Sequence, residues 1–131
     1  MKNKELMNEI KKNAGDFSMW IINNTTRCDD LVFKYDFITN EIEIVVIYEV
    51  KCACYVDFIV KISSDNIEVG IKIRTDNFEI IDEREENEYD YSDIEKLKEV
   101  IASADLMVEF YEKRLYVDSV SGKIIYRNML K

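Results

Sequence analysis

The chain has 131 residues, 47% of them hydrophobic and 34% charged, with a formal net charge of -9, three cysteines and no histidine. That length suits one domain with one core, and no apolar run approaches the roughly 20 residues of a membrane span. So negative a surface repels phosphate backbones, which disfavours direct nucleic-acid binding and favours a basic protein partner.

Lys and Asn dominate the first residues, with no apolar leader segment, so a cytoplasmic protein is expected. Asn3 to Ala14 predicts a short helix with Leu6, Met7 and Ile10 on one side and Gly15 as its stop. The next stretch, Asp16 to Ile22, is apolar but fits a helical turn or a strand equally. Trp20 within it reads as a core anchor.

From Leu31 the pattern has a period of two, the mark of strands with one buried face. Leu31, Phe33, Tyr35 and Phe37 form an odd-numbered set, and every even position from Ile42 to Ile62 is apolar or a small thiol. In a hairpin with an even-numbered loop the inward parity switches at the turn. A two-residue Thr39-Asn40 turn therefore sets Phe37 opposite Ile42, Ser63 to Asn66 sets Ile62 against Ile67, and Arg74 to Asn77 sets Ile73 against Phe78. All three loops end in asparagine, which tolerates the left-handed conformation. On the other face this register brings Lys61 to Glu68, Tyr55 to Arg74, and Lys72 between Asp57 and Glu79, so that most neighbours across the strands are of opposite charge.

Parity does not switch between Ile42 and Ile62. One continuous strand would be roughly 70 Å long, so a three-residue loop at Lys51 to Ala53 is favoured, pairing Val46 with Phe58 and Glu43 with Lys61. A long, sharply bent strand serving two sheets or a dimer is the alternative. Together these readings predict an antiparallel meander of about five strands over 31–82.

Asp82 to Asp93 breaks the alternation: seven carboxylates stand against one Arg84. Ser92 then reads as a helix N-cap, with Glu95 completing a capping box. Ile94, Leu97, Ile101, Ala104, Val108, Tyr111 and Leu115 recur at spacings of three and four, predicting one long helix over 93–115 across the apolar face of the sheet. The last stretch reads as a hairpin turning at Ser121-Gly122. The fold class expected is α+β in a single domain, 1–131.

Without histidine, Ser-His and Cys-His nucleophilic arrangements and the usual general base are excluded, and Gly15, Gly70 and Gly122 are too scattered for a phosphate loop. Cys52 and Cys54 share a face and, with Cys28, have the spacing of an incomplete soft-metal site. Buried structural thiols are the simpler reading, although at a loop tip the pair would be open to oxidation. The carboxylate pairs Glu41/Glu43 and Glu85/Glu86 have no flanking feature that makes them catalytic acids. No cofactor or metal is implied, and no enzyme is expected.

The expected function is that of a non-enzymatic acidic binding protein, an inhibitor or adaptor that engages a basic, nucleic-acid-handling protein by electrostatic mimicry. Its contact residues are Asp82, Glu83, Glu85, Glu86, Glu88, Tyr89, Asp90 and Tyr91, a ribbon of spaced negative charge with two rigid tyrosines. In size and charge, though not in any motif, the chain is similar to small acidic proteins of phages and mobile elements, among them nucleic-acid mimics, inhibitors of CRISPR effectors and immunity proteins. Two alternatives stand beside this. One is a small-molecule pocket or minor enzymatic site between sheet and helix, using Tyr48, Cys52, Cys54 and Tyr111. The other is a homodimer formed through Val32, Val45, Ile47, Ile59 and Ile81 on the face away from the long helix, unless a chain terminus covers them.

Overall fold

In a computed structural model, residues 3–89 and 93–126 are described, residues 84–89 and 125 by their backbone alone. Their elements run α1 (Lys4–Lys12), α2 (Ala14–Asn24), β1 (Asp30–Asp36), β2 (Glu41–Val50), β3 (Cys54–Ile62), β4 (Ile67–Thr75), β5 (Ile80–Tyr89), α3 (Ile94–Ala102), α4 (Ala104–Glu112), β6 (Leu115–Val117) and β7 (Ile124–Tyr126). Strands β1 to β5 make one antiparallel sheet in chain order, and β6 and β7 pair separately. The architecture is the α+β meander that the alternating pattern implies.

Ile42, Ile44, Val46, Tyr48 and Val50 alternate with more exposed neighbours along β2, and the same set continues through Val56, Phe58, Val60 and Ile62 of β3. Against it pack Leu6, Met7 and Ile10 of α1, Phe17 and Ile21 of α2, and Leu97, Ile101, Val108 and Tyr111 of α3 and α4. Full burial of a side chain the size of Phe58 stabilises by about 1.5–3 kcal/mol, so this single layer of helices on one sheet face supplies the fold's driving force. Asn3 anchors the start of α1 to the β3–β4 loop, donating from its side chain to Ser63 O at 3.0 Å and from its backbone to Ser64 O at 2.9 Å.

The three-residue loop is present: Val46 pairs with Phe58 and Glu43 with Lys61. With no glycine to relax the turn, Cys52 and Ala53 themselves adopt φ of 64° and 54°. The pairings of Ile62 with Ile67, Lys61 with Glu68 and Tyr55 with Arg74 also hold.

Other expectations are corrected. The β1–β2 loop has four residues, because Tyr35 rather than Phe37 pairs with Ile42. The Asp36 carboxylate accepts the N–H groups of Ile38 and Thr39 and builds a wider turn, so Phe37 and Ile38 are exposed instead of facing the core. At the β4–β5 turn Ile73 pairs with Asp82, not Phe78, and Lys72 with Glu83, not Glu79. Asn40 takes a φ of 55° as expected of asparagine, but in the β4–β5 turn Phe78 takes the left-handed conformation, at 63°.

Gly15 does not stop a helix. Asn13 separates α1 from α2, its side chain turned back on Glu9 O. The long helix is present as the joined segments α3 and α4, with a break in its ladder at Ser103, whose hydroxyl donates to Val100 O at 2.6 Å. Its N-cap is Asp93, which accepts the Glu95 N–H; Ser92 lies outside the described residues. Leu115 belongs to β6 and still reaches the core.

The largest correction concerns the acidic stretch. Residues 82–89 do not leave the sheet but form most of β5, paired with β4 along its length. Backbone pairing asks only for N–H and C=O groups in register, so a strand can form where side-chain alternation is lost.

Candidate functional site

Strand β5 is the last in the sheet order. By register Asp82 stands opposite Ile73, Glu83 opposite Lys72, Glu85 opposite Gly70, Glu86 opposite Val69, Glu88 opposite Glu68 and Tyr89 opposite Ile67. Six of the eight expected contact residues thus share one edge strand, while Asp90 and Tyr91 lie outside the described residues. By this register Glu83 faces Lys72 directly.

Two register shifts interrupt this pairing, between Glu68 and Val69 and between Ile73 and Arg74. Each leaves one β5 residue extra, Asn87 and Ile81, as a β-bulge does. The second bulge explains why Ile81 packs against the core and not on the far face where simple alternation puts it. Bulges of this kind keep an edge strand from pairing further.

The far face of the sheet is a second feature. Val32, Val45, Ile47 and Ile59 floor an open groove of about 270 Å³, with Phe78 and Ile80 at its rim. All the helices named above pack on the opposite face, and the C-terminal hairpin stays there too, with Leu115 in the core and Tyr126 6.2 Å from Tyr111. Coverage by a terminus is thus not found among the described residues. At one end of the groove Arg74 holds Asp57 with two bonds of 2.7 and 3.2 Å. Its guanidinium lies 4.7 Å from the Tyr55 ring and 4.5 Å from that of Phe78, between which it is stacked. Pairing of Tyr55 with Arg74 was legible from register, but the stacking by Phe78 depends on an irregular turn.

Of the residues of the sheet-to-helix pocket reading, Tyr48, Cys54 and Tyr111 lie in the core, 1%, 0% and 6% exposed, and the partly buried Cys52 packs against it. The Tyr48 hydroxyl donates to Asp105 at 2.7 Å, and burial pushes this phenol far above its ordinary value. Burial likewise raises the Cys54 thiol, helped by the neighbouring Cys52 and Asp76. All three cysteines are free, and no three thiol or carboxylate residues are grouped to hold a metal among the described residues. No helix among them is long and apolar enough to cross a membrane.

Comparison with protein families, with curated proteins and with solved structures finds no match to this chain.

Proposed function

We propose that the protein is a non-enzymatic binding module of the cytoplasm that engages a basic protein, of the kind that handles nucleic acid, through the acidic edge strand β5. The observation that carries this is the concentration of carboxylates on one edge strand, Asp82, Glu83, Glu85, Glu86 and Glu88 all lying within β5. Between its bulges a paired strand holds its charges about 3.3 Å per residue apart, a display that suits a groove lined by arginine and lysine. The test is affinity capture from the source cell with the wild-type chain and with a Glu85→Lys, Glu86→Lys, Glu88→Lys variant. Capture of a basic protein that is released by salt and lost in the variant supports the reading; salt-insensitive capture, or capture unchanged in the variant, refutes it.

A second reading, a homodimer through the far face, is favoured by the half-buried Val32, Val45, Ile47 and Ile59 lining an open groove. Light scattering decides it: a monomer at high micromolar concentration removes it.

A further inference from the structure

The two edges of the sheet are built differently. β5 carries two bulges, whereas β1 pairs with β2 through seven consecutive residues without a shift. β1 stands first in the strand order, so among the described residues no strand pairs its outer side. The Leu31 N–H is bonded to the Asp30 carboxylate at 2.8 Å instead of to β2. In an antiparallel ladder the outward residues alternate, which makes Leu31, Phe33 and Tyr35 the ones whose backbone groups face out.

Beside that edge runs a groove of about 360 Å³ between β1 and α2, walled by Ser18 and Ile22 on the helix and by Cys28, Asp29, Leu31 and Phe33 on the other side. Ile22 is 46% exposed, a large apolar side chain with one flank open. A regular edge strand next to a helix-walled groove lined by Ile22, Leu31 and Phe33 is the geometry in which an extended peptide adds to a sheet: main-chain bonds supply affinity and alternate side chains enter the groove.

Charge selects the occupant. β1 begins and ends in aspartate, Asp30 and Asp36, six positions apart, and Asp29 adds a third carboxylate at the groove. A second copy pairing antiparallel about Phe33 would set Asp30 against Asp36 at both ends, which a sheet disfavours. A strand with a basic residue at each end and aliphatic residues between meets complementary charge at both.

We propose that the outer edge of β1 is a binding site for an extended peptide segment of a partner protein, which adds as a sixth strand with aliphatic side chains in the α2 groove and a lysine or arginine against each of Asp30 and Asp36. This site lies on the edge opposite the acidic strand and does not depend on the function proposed for β5.

The test uses the full chain and a fluorescein-labelled peptide, Lys-Val-Thr-Val-Glu-Val-Lys, followed by anisotropy and by amide chemical shifts. Binding is expected with shifts confined to β1 and α2. N-methylation of the alternate peptide amides that point at β1 weakens it at least tenfold, and methylation of the other set does not. Because the protein is unchanged in that comparison, misfolding cannot imitate the result. Asp30→Lys with Asp36→Lys weakens binding at least fivefold, and Glu85→Lys with Glu86→Lys leaves it unchanged. No binding at millimolar peptide, equal effects of the two methylation patterns, shifts centred on β5 or the far face, or a β1-mediated dimer in sedimentation would each overturn the proposal.

Discussion

Removing one member of the Asp57–Arg74 pair is expected to destabilise the protein far more than removing both. The two side chains are 10% and 9% exposed, with Nε to Oδ2 at 2.7 Å. Arg74→Met strands a carboxylate in the sheet face, and breaking such a pair costs about 3–5 kcal/mol. Asp57→Val costs less, about 2–3 kcal/mol by the same reasoning, because the guanidinium keeps its bond to Thr75 O and both flanking rings. The double variant Asp57→Val, Arg74→Met leaves no charge to desolvate and is expected within about 1 kcal/mol of wild type. Urea unfolding followed by Trp20 fluorescence measures this: with a slope of about 1.5 kcal/mol per molar, the Arg74→Met midpoint falls by about 2–3 M. Simple additivity in the double variant, or a loss below about 1 kcal/mol in Arg74→Met, would show that solvent screens the pair through the open groove and would refute the reasoning.

Three further outcomes are expected. Ala53→Gly relieves a left-handed alanine worth about 1–2 kcal/mol, offset in part by the glycine's greater unfolded freedom, and so raises stability by about 0.5–1 kcal/mol in the same urea assay; a lower midpoint contradicts the strained turn. Tyr48→Phe removes the bond to Asp105 and costs about 1–2 kcal/mol at neutral pH. Since burial raises the folded phenol above its ordinary 10.0, Tyr48 contributes fully below that pH and loses its contribution as pH rises above it, so the variant shows a flatter alkaline unfolding curve. With Ellman's reagent at pH 8, Cys52 and Cys28 react in the native protein and Cys54 only on unfolding, because burial disfavours its thiolate; rapid modification of all three would place Cys54 outside the core.

The sheet was legible because a period of two is a property of the chain itself. Ile42 to Ile62 announce which side of each strand is buried, and the failure of parity to switch between them located the turn at Lys51 to Ala53 without glycine or proline to mark it. Turn geometry was less legible. Phe37 and Phe78 are as apolar as their inward neighbours, and only the Asp36 carboxylate binding Ile38 and Thr39, and a bulge beside Ile73, put them outside the core.

For β5 the side chains carry no alternation at all. Its strand conformation is set by the backbone groups of β4 that need partners, which no local pattern in residues 80–89 reports. The same holds for the candidate sites. Composition alone concentrated negative charge between Asp82 and Asp93, but that residues 82–88 of it lie on a bulged edge strand and that the opposite edge is regular and faces a groove against α2 are facts about which strands end the sheet, and the contacts of Arg74 with Tyr55 and Phe78 depend on the turn beside it. Local preference fixes what each segment becomes; which segment is left without a neighbour is settled only when the whole chain has packed.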